Sequence, residues 1–195
     1  MKKWIVPILL VFLFALFGMK VYNSTIRLDE AVNEAWGQVE SSYQRRNDLI
    51  GNLVKTVQGA ADFEKGTLES VIKARAQATA VTIDPSNITP EQLQEFNKAQ
   101  GNVSSALSRL LVTVERYPEL KANQNFLELQ SQLEGTENRI MVARNRFNMA
   151  VKPYNEHIRK FPNNLLAGLF GFDKRVYFES DEGSEKAPDV EFDFQ

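Results

Sequence analysis

The stretch from Ile26 to Ala61 most constrains the fold, because it carries an unbroken helical pattern and contains no proline. Apolar side chains recur at every third or fourth position, as on one face of a long α-helix. The stripe comprises Val32, Trp36, Val39, Tyr43, Ile50, Leu53, Val57 and Ala60, with an arginine, Arg46, at one position. Such an apolar face is not stable alone in water, so the pattern predicts that other helices cover it.

Three later segments can supply those helices. One runs from Leu68 to Ala80, and the next starts at Thr89-Pro90-Glu91-Gln92 and continues to Tyr117. Threonine before proline, with glutamine at the third helical position, is typical of a capped helix start. The last helix, 123–160, matches the length of the first, at roughly 55 Å for 1.5 Å per residue. The sequence therefore predicts an all-α fold: an antiparallel, up-and-down, coiled-coil-like four-helix bundle of long helices.

Aromatic residues recur at helical spacing on the last helix, and we assign them to the core rather than to a cofactor site. They are Phe126, Phe147, Tyr154 and Phe161.

An uncharged apolar run precedes the bundle. The segment from Trp4 to Tyr22 is long enough to cross a hydrocarbon core of roughly 30 Å if Lys20 extends to the interface. Trp4 and Tyr22 lie where interfacial aromatic residues are expected. The alternative is a cleaved signal peptide, but the small residues that cleavage needs are missing. We therefore predict a single-pass transmembrane anchor over residues 1–23, with the bundle over residues 24–172.

The C-terminal part contains two different segments. An apolar segment would reach the level of the bilayer in this topology, as a lid on the core or as a membrane contact. Its residues are Leu165, Leu166, Leu169, Phe170 and Phe172. Residues 173–195 are rich in Asp and Glu and predict a disordered acidic tail, with docking points at 176–178 and 192–194.

Composition excludes several functions. A net charge of -2 over 195 residues leaves no basic surplus for a phosphate backbone, so nucleic acid is not an expected partner. The chain has no cysteine, which excludes disulfides, thiolate metal sites and a cysteine nucleophile. It has one histidine, His157, and no Glu-x-x-His motif for a carboxylate metal site. We predict no catalytic residue, no metal and no cofactor, and hence no enzyme.

Arg46 is the most unusual residue of the apolar stripe. A buried arginine needs a partner, and the antiparallel arrangement brings Glu137 close to it. We assign a polar seam that fixes helix register or, alternatively, binds a partner. Its members are Arg46, Asp48, Asn52, Arg75, Glu137 and Arg144.

Several segments together resemble the LemA family of bacterial membrane proteins. They include Arg45–Val54, Ala74–Ala76, Leu107–Leu110, Glu115–Asn123, Glu137–Ile140, Ala143–Arg144, Phe147–Asn148, Tyr154–Asn155, Phe161–Pro162 and Phe170–Phe172. The resemblance implies a single membrane anchor with an up-and-down helical bundle and no established reaction. Gly51 stands where the family commonly has proline, and Phe63 where it commonly has histidine.

These observations predict a non-enzymatic scaffold at the bacterial cytoplasmic membrane, anchored in the bilayer. Lys2 and Lys3 favour a cytoplasmic N-terminus and a periplasmic domain. Apolar positions outside the stripes predict a homo-oligomer, and other envelope proteins are further candidate partners. These positions are Ile72, Leu111, Met141 and Met149. The alternative is a binding module for a small molecule or a lipid in the cell envelope.

Overall fold

The computed structural model describes residues 2–59 and 63–179, with side chains from residue 5 onward. This part of the chain forms α-helices and one 3-10 turn at Pro85–Asn87, without a strand. The helices are α1 (Lys2–Gln58), α2 (Lys65–Ala80), α3 (Pro90–Val114), α4 (Pro118–Lys121), α5 (Gln124–Arg159) and α6 (Asn163–Phe170). The all-α prediction is confirmed.

Helix α1 continues from the apolar N-terminal run into the bundle without interruption. Its first part is long and apolar enough to cross a membrane. Between Ile5 and Phe14 the large apolar side chains are all more than half exposed, and the first buried apolar one is Val21. A continuous apolar surface of this kind is stable in lipid rather than in water, which indicates membrane anchoring.

Helix α5 packs antiparallel along α1, and α2 and α3 form a second packed pair. Two contacts show the register between α1 and α5. Glu137 lies beside Arg46, and ten residues further along α5, Phe147 lies beside Trp36, ten residues back along α1. The end of α5 therefore lies near the end of the apolar run.

The predicted start of α3 is confirmed. The Thr89 hydroxyl accepts a hydrogen bond from the Gln92 N–H at 3.2 Å, and the Gln92 side chain accepts one from the Thr89 N–H at 3.0 Å. This capping box, with Pro90 in the first turn, fixes where the chain leaves the loop and enters the helix.

Two apolar clusters form the core of the bundle. The proximal cluster, nearer the apolar run, is built around Trp36, Tyr43, Phe96 and Phe147. The distal cluster is built around Ile50, Leu53, Val71 and Leu110. On α1 the proximal cluster ends at Tyr43 and the distal cluster begins at Leu49, so Arg46 lies between them.

Two expectations about the C-terminal part need correction. Phe161 is 81% exposed rather than part of the core, because α5 ends at Arg159 and the chain turns there. Residues 173–179, assigned to a disordered tail, lie against the bundle, and Phe178 belongs to the proximal cluster. The rest of that tail, 180–195, lies outside the described residues.

Candidate functional site: a buried polar layer and a strapped groove

Arg46 forms a polar layer between the two core clusters. Its side chain is 2% exposed, and Nη1 donates to Glu137 Oε1 at 2.9 Å and to Ser104 Oγ at 3.1 Å. Nη2 donates to the side chain and the backbone carbonyl of Gln100. The guanidinium also lies 5.0 Å from the ring centre of Tyr43. The layer therefore ties α1 to α3 and α5 at one level of the bundle.

The ion pair expected between Arg46 and Glu137 is present, but its two ends differ in environment. The Glu137 side chain is 47% exposed, whereas Gln100 is 5% exposed. Water can therefore compensate the carboxylate, while the contacts to Gln100 depend on the arginine. Helices packed only through apolar side chains can shift along each other more easily than helices joined by specific hydrogen bonds. The geometry therefore favours a role for the polar layer in fixing the register of the helices.

Three other predicted members of the seam lie elsewhere. Asp48 and Asn52 are exposed and line a surface cleft of about 470 Å³ together with Arg75. Asp48 follows Arg46 by two positions, which is about 200° around a helix, so the two side chains leave α1 on different sides. Arg75 Nε donates to the Asn47 carbonyl at 2.8 Å, and its guanidinium lies over Gly51.

Arg144, the remaining member of the predicted seam, belongs to the C-terminal segment. Its Nη2 donates to the Glu179 carbonyl at 3.2 Å, and its guanidinium lies 4.8 Å from the ring centre of Phe178. The predicted seam is thus three separate sites, of which only the Arg46–Glu137 layer is in the core.

Residues 172–179 run back along the bundle as an extended segment, here called the strap. Two asparagines of α5 hold its backbone. Asn155 donates to the Arg175 carbonyl at 2.8 Å and accepts from the Arg175 N–H at 2.9 Å. Asn148 makes the same pair of bonds with Phe178, both at 2.9 Å. Each amide satisfies one backbone donor and one acceptor, as a neighbouring β-strand would.

The spacing of these contacts follows from helix and strand geometry. Asn148 and Asn155 are seven residues apart, which is about 10.5 Å along an α-helix. Arg175 and Phe178 are three residues apart, which is about 10 Å in extended chain. The two asparagines are therefore about as far apart along α5 as Arg175 and Phe178 are along the strap.

Phe178 anchors the strap in the proximal cluster. It is 5% exposed, its ring is stacked on Trp36 with centroids 5.9 Å apart, and it meets the edge of Phe147 at 5.4 Å. The adjacent Tyr177 is 38% exposed. Alternation along an extended chain thus directs one aromatic side chain inward and the next outward.

The Arg175 side chain ties the strap to α1 and to the 3-10 turn, and Asp173 ties it to α5. Nη2 and Nε donate to Asp29 Oδ1 of α1 at 2.6 and 3.1 Å, and Nη1 donates to the carbonyls of Pro85 and Ser86. Tyr154 of α5 donates to the Asp173 carbonyl at 3.0 Å. Burial, with Asp29 nearby, raises the pKa of Tyr154 above its usual value of 10.0. The folded protein thus favours the neutral form of Tyr154. The stability associated with this preference is fully present below pH 10.0 and is lost as the pH rises through the folded-state pKa.

Sequence reasoning missed the groove that binds the strap. The available signals were Phe147-Asn148 and Tyr154-Asn155, a core aromatic followed by asparagine and repeated after seven residues. The apolar residues Val176 and Phe178 at alternate positions were the matching signal in the strap. The strap is held by side-chain bonds to its backbone, by the ion pair of Arg175 with Asp29 and by the aromatic contacts of Phe178.

The predicted membrane-proximal residues are close to the end of the apolar run. Tyr22 contacts Phe170 and Phe172, with ring centroids 5.2 and 5.7 Å apart, and Lys20 is exposed. Leu166 is buried, whereas Leu165 and Leu169 are exposed. The side chain of Trp4 lies outside the described residues.

At the distal end of the bundle, Phe63 packs on Tyr117 with ring centroids 4.9 Å apart. Beside it, Glu64 forms an ion pair with Arg116 at 2.9 Å. The phenylalanine that replaces the family's common histidine therefore makes an apolar contact.

A long helix with an exposed apolar start, continuing into an antiparallel helical bundle, defines a membrane-associated all-α protein. The family model of the LemA family matches residues 35–192. The chain belongs to this family.

Several named proteins are similar to this chain over most of its length. Magnetosome protein MamQ 1 and MamQ 2 of Paramagnetospirillum magneticum are each 28% identical over 192 residues, covering 90% of this chain and 71% of theirs. Protein LemA of Metamycoplasma hominis is 22% identical over 172 residues, covering 88% of this chain and 74% of its own. None of these names denotes a reaction.

Proposed function

We propose that this protein is a non-enzymatic, membrane-anchored helical scaffold that assembles laterally with copies of itself at the bacterial cytoplasmic membrane. The observation that carries the proposal is a group of exposed apolar side chains around Asn145 on the outer face of α5, here called the outer stripe. It consists of Met141, Val142 and Met149, which are 56%, 39% and 73% exposed.

The outer stripe lies opposite the core face of α5. At about 100° per residue its three side chains fall within about 100° of arc, on the side away from Ile140 and Phe147. Ile72 on α2 is also exposed, whereas Leu111 is partly buried against the distal cluster. An apolar surface on an anchored rod favours lateral contact, because the membrane confines neighbouring copies to two dimensions.

Two further observations support a scaffold. The two arginines with the most buried side chains in the polar layer and the strap, Arg46 and Arg175, are paired with Glu137 and Asp29. The relatives carry names that denote no reaction, and the bundle shares their family. Organisation of other envelope proteins would use the same outer stripe.

Self-association is tested by crosslinking in membranes. Because the chain has no cysteine, Met149→Cys supplies a single reactive site on the outer stripe. A short bismaleimide should give discrete species larger than the monomer at native expression. Adding Met141→Asp should sharply reduce this crosslinking, since a carboxylate would be buried in the contact.

Ser105→Cys, on an exposed position of α3, is the matched control and should crosslink much less. Equal crosslinking at both positions would indicate random collision and contradict the proposal. A strictly monomeric species that co-purifies with a small ligand would instead favour a binding module, with the cleft beside Arg75 as its first candidate site.

The periplasmic location of the bundle is tested by labelling from outside the cell. Val112 is 72% exposed on α3, and Val112→Cys should react with a membrane-impermeant maleimide in cells whose outer barrier alone is opened. The lysines at positions 2 and 3 are the basis for this orientation. Labelling only after lysis would place the bundle in the cytoplasm.

A further inference from the structure

We infer that α6 is a second membrane contact, which inserts one face into the interfacial region of the bilayer that α1 spans. The inference rests on the anchoring part of the proposed function and is independent of self-assembly. Four side chains form the contact surface, here called the apolar rim: Phe161, Leu165, Leu169 and Phe170, exposed by 81%, 65%, 76% and 42%.

The register of the bundle places the apolar rim at the end of the apolar run. In the same antiparallel register that sets Glu137 beside Arg46 and Phe147 beside Trp36, Arg159 at the end of α5 reaches the level of Ser24, two residues after Tyr22. The ring contacts of Tyr22 with Phe170 and Phe172 locate α6 at that level directly. The rim therefore adjoins the exposed apolar surface of α1 that includes Leu16 and Met19.

Helix α6 has two distinct faces. Leu166 and Ala167 are buried against the bundle, and Leu165 and Leu169, one helical turn apart, project away from it. Gly171, with φ at 74°, ends the helix and lets the chain turn into the strap. The bundle thus holds α6 by one face and leaves the rim uncovered.

Basic side chains flank the rim along the chain and at the end of the apolar run. Lys20 on α1, Arg159 and Lys160 before α6, and Lys174 after it are all exposed. Lysine and arginine beside an apolar helical face match the phosphates of lipid headgroups, which lie just above the acyl chains.

The position of the rim favours lipid over a protein partner. The rim adjoins the end of α1 that is long and apolar enough to cross a membrane. A second membrane contact at α6, beside the anchor, would prevent the bundle from rotating about the axis of α1. It would thereby fix the direction in which the outer stripe faces along the membrane.

The test uses the full chain in nanodiscs of equal parts phosphatidylethanolamine and phosphatidylglycerol, at one chain per disc. A fluorophore that responds to polarity is attached at Leu165→Cys or Leu169→Cys, with Met149→Cys as the control. We expect blue-shifted emission at 165 and 169, several-fold stronger quenching by lipids labelled near the headgroup than at 149, and weaker quenching by iodide.

Iodide quenching at 165 and 169 equal to that at 149 would overturn the inference. Protection from both iodide and the labelled lipids would also overturn it, because the rim would then be covered by protein. The single-chain discs keep this result separate from the crosslinking test of self-assembly.

Discussion

Arg46→Ala is expected to destabilise the protein by on the order of 3 kcal/mol, because it removes the central group of a buried layer. The substitution leaves the Gln100 side chain buried without its charged donor and opens a gap between the two core clusters. Glu137 is half exposed, so it is rehydrated and the loss stays near the low end of that expected for a broken buried pair. Urea unfolding of the full chain in detergent, followed by helical circular dichroism, measures the change.

Two variants serve as comparisons for this measurement. Arg159→Ala removes an exposed arginine from the end of α5 and should cost well under about 1 kcal/mol. Arg46→Met keeps the length of the side chain and should cost less than Arg46→Ala, since apolar replacements of buried ion pairs are often tolerated. Equal losses for Arg46→Ala and Arg159→Ala would show that the layer does not stabilise the bundle. Normal stability of Arg46→Ala with lost crosslinking would indicate a partner-binding role instead.

The sequence predicted the helical part of the fold well because the pattern there is the physical cause of the structure. The stripe around Val39 and Ile50 needs a cover, and α5 is the helix whose length and period match it. The same pattern paired Arg46 with Glu137, since antiparallel helices of equal length leave little freedom in register. The assignment of Asp48 to the polar seam was wrong. It rested on closeness to Arg46 in sequence, but the Asp48 side chain leaves α1 on another side.

The sequence predicted a docking point at 176–178 but not the order of the whole strap. The acidic residues that follow the strap led to the assignment of all of 173–195 as disordered, and short side chains on α5 hold the backbone of the strap. Asp29 and Arg175 lie far apart in sequence, and only the closed bundle brings them to 2.6 Å. Backbone hydrogen bonds do not depend on the side chains of the strap, so its own sequence predicts them poorly. The residues of α5 that make these bonds, Asn148 and Asn155, are the clearer sequence signal.

Phe178→Ala is expected to release the strap from the bundle. It removes the ring stacked on Trp36, and deletion of a buried phenylalanine costs about 3 kcal/mol or more. Because the strap can detach without opening the helices, the loss should appear as local opening. At about 1.4 kcal/mol per tenfold, the N–H groups of Arg175 and Phe178 should exchange with solvent roughly a hundredfold faster. Hydrogen exchange with peptide-level mass spectrometry measures this.

Tyr177→Ala is the matched control, since it removes the neighbouring aromatic ring from an exposed position and should change exchange little. Equal exchange in the two variants would contradict an anchoring role for Phe178.

The Asn148→Asp variant separates the contribution of the Phe178 ring from that of the backbone hydrogen bonds. Aspartate accepts from the Phe178 N–H but cannot donate to its carbonyl. Faster exchange in that variant, with Trp36 fluorescence unchanged, would show that the asparagine pair holds the strap independently of the aromatic contact.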